Sequence, residues 1–266
     1  MRLFAFDIDA TLFPYGGHEI AQEEIDALQA LLDQGDAVVL ASGRPFVTLK
    51  GFLEQFHGKH RYVVCANGSV AYDIDGNLIT KASLKLEDFL HLQKYEQYGA
   101  SIYAYEGLGG LLSFHKDHWI DYEVEMNLLN EEDITILDPN QPIQGHDELY
   151  KIMIAGPKEV MANLKPDPED QERYELSRSA PTFLEALPKG ANKGSRVDAI
   201  REYLHIAPED VYCFGDEDND LSMIKRFNGV AMGNAIPSVK KAAKYITLEA
   251  KDHGVSYALR HILKVI

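Results

Sequence analysis

Leu3-Phe4-Ala5-Phe6-Asp7-Ile8-Asp9-Ala10-Thr11 is the stretch on which the fold turns. Four apolar residues make a short run of the kind that fills a buried strand, and the run ends on two acidic residues. Carboxylates are rarely buried unless they are paired or hold a metal. In open α/β sheets, ligands bind at the carboxyl ends of the strands. Asp7 and Asp9 are therefore candidates for chemistry. A second copy of the triplet supplies a contrast. Asp73-Ile74-Asp75 runs into Gly76 between two short apolar segments, Ser69–Tyr72 and Asn77–Ile79, and that context predicts a hairpin turn.

Outward from the first strand, strands and helices alternate. Ala21 to Asp33 carries Ile25, Leu28, Leu31 and Leu32 at helical spacing. Ala37–Ala41 is a second buried strand, ending at Ser42-Gly43-Arg44-Pro45, where Pro45 suits a first helical position. Tyr62–Cys65 is a third, ending at Ala66-Asn67-Gly68. Three such units predict a parallel, doubly wound sheet. From about Ser83 the texture changes to helix-like segments (Leu86–Tyr98, Trp119–Leu129, Lys158–Leu164) among strand-like ones (Ser101–Tyr105, Gly110–His115, Leu149–Ala155, Arg173–Ser179, Thr182–Leu187). Residues 138–142 and 165–168 are expected to be loops. The α/β texture returns at Lys189, with a helix over Asn192–Leu204 and a strand Val211–Phe214 ending at Gly215-Asp216-Glu217-Asp218-Asn219-Asp220. A helix through Leu221, Ile224 and Phe227, short strands at Gly229–Met232 and Tyr245–Thr247, and a helix from Val255 follow. The expected division is a core of residues 1–82 and 187–266 with an inserted α+β module over 83–186.

Composition narrows the function. The 266 residues include 26 basic and 42 acidic side chains, a formal charge of −16. That balance opposes binding to nucleic acid or to an anionic membrane surface. It does not oppose a small phosphorylated ligand, because a bound cation inverts the local field. Cys65 and Cys213 lie inside strand-like runs and are expected to be buried free thiols. No basic stretch followed by a long apolar one opens the sequence, and a cytoplasmic protein is the expectation.

In one parallel sheet the loops bearing Asp7/Asp9, Ser42 and Asp216/Asp220 converge on one edge, joined by Lys193 from a helix start. The set is a carboxylate cluster, a hydroxyl and an ammonium. Here the chain resembles the haloacid dehalogenase (HAD) superfamily phosphatases, Cof-type, subfamily IIB. The matching pieces are Asp7-Ile8-Asp9-Ala10-Thr11-Leu12, Ala41-Ser42-Gly43-Arg44-Pro45, Ala66-Asn67-Gly68, Lys189-Gly190-Ala191-Asn192-Lys193-Gly194 and Gly215-Asp216-Glu217-Asp218-Asn219-Asp220. They stand in the family's order and span the chain.

The resemblance implies a Rossmann-like parallel core with helices on both faces and an inserted α+β cap of type C2B. It implies a Mg²⁺-dependent phosphatase acting on small phosphorylated metabolites, sugar phosphates foremost, through an aspartyl-phosphate. Asp7 is then the nucleophile and Asp9 the acid and base, while Ser42 and Lys193 hold the phosphoryl oxygens. Asp7, the carbonyl of Asp9 and Asp216 are metal ligands, and Asp220 either binds the ion or orients a metal-bound water and Lys193. Ala10 (through its backbone N–H), Gly43, Arg44, Asn67 and Asn219 are expected at the phosphate or substrate. Ala10 departs from the family's usual glycine and adds a methyl group near that pocket. Glu123, Glu125 and Arg178 are candidates for the cap side. A monomer or small homo-oligomer without nucleic-acid or membrane partners is expected. Two other functions fit the same residues: a phosphoryl transferase or mutase on this core, and a non-catalytic protein that binds a phosphorylated ligand.

Overall fold

The computed structural model of the chain describes residues 1–266. The chain opens with β1 (Leu3–Phe6), α1 (Gln22–Asp33), β2 (Ala37–Ala41), α2 (Phe46–Leu53), β3 (Arg61–Cys65), β4 (Val70–Asp73) and β5 (Leu78–Lys81). Next come α3 (Leu86–Leu92), β6 (Ser101–Glu106), β7 (Gly110–Ser113), α4 (His118–Asn127), β8 (Ile134–Ile136), β9 (Leu149–Ala155), α5 (Lys158–Asn163), α6 (Pro168–Arg173), β10 (Tyr174–Ala180) and β11 (Phe183–Pro188). The chain closes with α7 (Lys193–Tyr203), β12 (Val211–Gly215), α8 (Leu221–Arg226), β13 (Asn228–Ala231), α9 (Pro237–Ala242), β14 (Tyr245–Ile246) and α10 (Gly254–Tyr257). Two compact units result: Met1–Gly43, Leu49–Thr80 and Asn192–Ile266 form one, and Arg44–Thr48 with Lys81–Ala191 form the other.

The first unit is built on one sheet with strand order β14-β13-β12-β1-β2-β3-β4-β5. From β14 to β3 every pairing is parallel, and β4 runs antiparallel to β3. Strands buried on both faces need continuous apolar runs, and every residue of β1 and β2 is buried. Order reverses at β1: β2 and β3 lie to one side, β12, β13 and β14 to the other. Such a reversal leaves a crevice at the carboxyl ends of the strands, where ligands bind in α/β sheets. Register carries the motifs there together, because Phe6 pairs with both Leu40 and Phe214. The rings of Phe6 and Phe214 stack with centroids 4.8 Å apart, and the Asp7 amide donates to Phe214 O at 3.0 Å. The second acidic triplet is the expected turn: Asp73 Oδ1 accepts from the amides of Asp75 and Asn77, and Gly76 has φ 83°.

The second unit has its own sheet, β10-β11-β9-β6-β7-β8, antiparallel except for the parallel pair β7–β8. One face packs Phe89, Leu92, Tyr95 and Met161, and the other packs Tyr103, Tyr105, Ile120 and Phe183. Three elements lie outside the periodic pattern. β8 is a three-residue strand at the sheet edge, and α6 and α9 are single short helices, each started by a proline at its first turn. Residues 138–142 are loop, while Pro168, expected in a loop, opens α6.

Candidate active site

Each loop beyond a parallel strand contributes one piece. After β1, Asp7 is almost fully buried and Ile8 is wholly so. The chain then turns back, with the amides of Thr11 and Leu12 both donating to Ile8 O, and Ala10 sits at φ 57°. After β2, Ser42 is buried and its amide donates to Val64 O. After β3, Ala66, Asn67 and Gly68 all have positive φ, at 49°, 53° and 102°. This left-handed turn places the Asn67 amide on Ser42 O at 3.0 Å.

After β12, Asp220 closes its own loop. Its Oδ2 accepts from the amides of Asp216 (2.9 Å) and Glu217 (3.1 Å). The approach needs Gly215, since a Cβ there would lie 2.5 Å from the Asp220 side chain. The remaining oxygen, Oδ1, accepts from Lys193 Nζ at 2.7 Å. Lys193 opens α7, whose first turn is fastened by Asn192 Oδ1 accepting from the Ser195 amide at 2.9 Å. That helix start buries the ammonium between two acids, because Nζ also donates to Asp7 Oδ1 at 2.7 Å.

Oxygens of Asp7, Asp216 and Asp220 all lie within 4.8 Å of one another. Their charges work against their own ionisation. Burial raises the Asp7 carboxyl well above the ordinary range and Asp220 adds to this, while Lys193 pulls it back. Burial, then Asp220 and Glu217, push Asp216 up to about 7. Lys193 is held charged: burial opposes its ammonium, but Asp220 and Asp7 raise its pKa above the ordinary value. Three acids share one ammonium, so ionising all of them would leave an excess of buried negative charge that a cation could offset. Asp216 Oδ1 is buried with no hydrogen-bond partner. Hard carboxylate oxygens, an excess of negative charge and an unpartnered acceptor all fit a divalent cation.

Of the residues singled out in the sequence, Asp7, Lys193, Asp216 and Asp220 are thus brought into one cluster. Asp9 is half-buried beyond them, close enough for its charge to raise Asp216. Asn219 Nδ2 donates to Asn67 Oδ1 at 3.2 Å, joining the loops after β12 and β3, and the Asn67 carboxamide packs against Gly43. Arg44 groups with the second unit, where its guanidinium donates to Met126 O at 2.7 Å. Glu123 is also internal to that unit, accepting from Tyr103, Tyr105 and Asn127, and Arg178 donates to Leu164 O. One residue escaped the sequence reading. Asn234, in the turn after β13, donates to Ala10 O at 2.8 Å and to Asp216 Oδ2 at 3.3 Å. Its position past the end of a parallel strand was the available signal.

The geometry agrees with what comparison with known proteins finds. The family model described as haloacid dehalogenase-like hydrolase matches residues 4–259. An HMP-PP phosphatase of Yersinia enterocolitica is 30% identical, over 98% of this chain and 95% of that protein. A crystal structure of a haloacid dehalogenase-like hydrolase from Bacteroides thetaiotaomicron superposes with a TM-score of 0.82 at 28% identity, covering 98% of this chain and 99% of that one. A sugar phosphatase of HAD subclass IIB shares the fold, with a TM-score of 0.78 at 24% identity over 99% of this chain and all of that one. The chain belongs to the haloacid dehalogenase-like hydrolases. Within that family it is a phosphatase, a hydrolase with a Rossmann-like core and an inserted cap. No helix is long and apolar enough to cross a membrane.

Proposed function

We propose that this phosphatase is Mg²⁺-dependent and hydrolyses small phosphorylated metabolites, sugar phosphates foremost, through an aspartyl-phosphate on Asp7. The observation that carries this is the buried cluster in which Lys193 Nζ bridges Asp7 and Asp220 beside Asp216. Asp7, Asp216 and the carbonyl of Asp9 would hold the ion, with Asp220 binding it or orienting its neighbours. When bound, the ion supplies positive charge that offsets repulsion between the acids and a phosphate dianion.

The chain's own residues do the rest. A carboxylate needs no general base to act as a nucleophile. Lys193 fixes the Asp7 carboxylate and, with Ser42, the phosphoryl oxygens. Bond formation from Asp7 to phosphorus breaks the ester bond, and Asp9 protonates the departing oxygen. Asp9 then takes a proton from the water that hydrolyses the acyl phosphate. The core is residues 1–82 and 187–266, and the inserted residues 83–186 select the leaving group. Gly43, Arg44, Asn67, Asn219 and the Ala10 amide line the phosphate and substrate. A diphosphate substrate is the second reading, supported by the identity to an HMP-PP phosphatase. We take the protein to be cytoplasmic, a monomer or small homo-oligomer without nucleic-acid or membrane partners, in keeping with its charge of −16.

The test is phosphate release from a panel of phosphorylated metabolites, with Mg²⁺ and with EDTA, on wild type and Asp7→Asn. Turnover that needs Mg²⁺ and falls at least ~10³-fold in the variant is expected, given the size of losses when a reacting group is removed. Turnover unaffected by EDTA or by the substitution overturns the mechanism. Phosphate appearing on a second hydroxyl rather than free in solution assigns a transferase instead.

A further inference from the structure

We propose that Asn234 is a positioning residue that aims the Asp216 carboxylate at the metal and locks the loop behind the nucleophile. The proposal rests on the divalent-metal reading given above.

A carboxamide offers two N–H donors and one carbonyl acceptor in a single plane. Asn234 uses both kinds of group, on three different loops. Nδ2 donates to Ala10 O at 2.8 Å, in the loop after β1, and to Asp216 Oδ2 at 3.3 Å, in the loop after β12. Oδ1 accepts from the Ala250 amide at 2.9 Å, beyond β14. The turn that carries Asn234 is itself clamped. The amides of Met232 and Ile236 donate to the carbonyls of Gly215 and Asp216, and that of Gly233 to Leu248 O, at 2.8–3.1 Å. Gly233 must lack a side chain here, since a Cβ would lie 2.6 Å from the Glu249 nitrogen. Asn234 is thus mounted on a rigid support.

The result for Asp216 is an asymmetric carboxylate. Its Oδ2 is held by Asn234, while Oδ1 is buried with no partner. Rotation of the carboxylate would break the first interaction, so the second oxygen keeps one direction. Groups that orient a ligating carboxylate in this way typically contribute about 10–100-fold to metal affinity. The bond to Ala10 O also holds the left-handed residue next to Asp9, at φ 57°.

The experiment is isothermal titration of Mg²⁺ into the purified full-length protein, wild type, Asn234→Ala and Asp216→Asn, with thermal melting to show folding. Asn234→Ala is expected to bind Mg²⁺ roughly 10–100-fold more weakly. In turnover of para-nitrophenyl phosphate, its kcat is expected to recover at high Mg²⁺ with KM within about twofold of wild type. A folded Asn234→Ala with wild-type Mg²⁺ affinity overturns the proposal, as does a loss of kcat that Mg²⁺ does not restore. Should Asn234→Ala fail to fold, Asn234→Ser is read in the same way, its hydroxyl being too short to span both Ala10 O and Asp216. A wild type that binds no Mg²⁺, or an Asp216→Asn that binds as well as wild type, overturns the metal reading and the proposal with it. Wild-type binding with an unaltered Asn234→Ala overturns the proposal alone.

Discussion

Ala10 holds a backbone conformation that costs an L-residue about 1–2 kcal/mol, because its Cβ crowds the following carbonyl. Its φ of 57° is left-handed, in the loop between Asp9 and Thr11. A glycine relieves that strain but loses about 0.5–1 kcal/mol to the greater freedom of the unfolded chain. Ala10→Gly is therefore expected to stabilise the protein by about 0.5–1 kcal/mol, read as a higher urea midpoint at unchanged slope. An unchanged or lower midpoint would mean that the methyl group packs well enough to outweigh the strain. Asp7 and Asp216 were legible in the sequence because each stands at the end of a short apolar run, and Asp220 because it shares the loop of Asp216. The departure at Ala10 was legible too, but its backbone angle was not. Asn234 differs: its place past the end of β13 was a signal, but what it touches was not legible. Its partners, Ala10, Asp216 and Ala250, lie 224, 18 and 16 residues away along the chain, and no local pattern marks such a contact.

Among the elements, α1 and α10 are joined by a buried acid. Glu24 accepts from the Val255 and Ser256 amides at the start of α10. Burial outweighs those two hydrogen bonds and raises the Glu24 carboxyl to about 7 from its ordinary 4.5. A carboxyl raised on folding favours the folded state while it stays protonated, and that contribution is lost as pH rises from the unfolded value through the folded one. Here the window runs from about pH 4.5 to about 7, and the full shift corresponds to about 3 kcal/mol. Roughly 1 kcal/mol of it falls between pH 6 and 8, a range clear of the isoelectric point near 5.0. Relative to Glu24→Gln, the wild type is expected to lose that amount between the two pH values, measured by urea unfolding. A difference between the two proteins that does not vary with pH would show Glu24 to be ionised in both states. Long periodic elements such as α1 and β9 were readable from their apolar spacing. β8, α6 and α9 were not, for they are three to six residues long and too short to show a period.

Taken whole, the molecule joins chain segments far apart in sequence, as Leu3 beside Val211 shows. Alternating strand and helix patterns predicted a parallel sheet, while the reversal of order at β1 emerges only from the pairing. Over the whole molecule the charge is −16, and the ligand it is proposed to bind is an anion. Two fields therefore act on an approaching phosphate ester. At long range the net charge repels it, and at short range Lys193 and a bound cation attract it. Salt separates the two, since the screening length falls from about 30 Å at 0.01 M to about 8 Å at 0.15 M. Screening removes the long-range field first and leaves contacts inside a buried site nearly intact. With Mg²⁺ saturating, raising NaCl over that range is expected to increase kcat/KM roughly 2–5-fold with kcat unchanged. The same series on an uncharged ester should be flat. A kcat/KM that falls with salt would mean instead that a positive field reaches out from the site and steers the substrate, against the net charge of the protein.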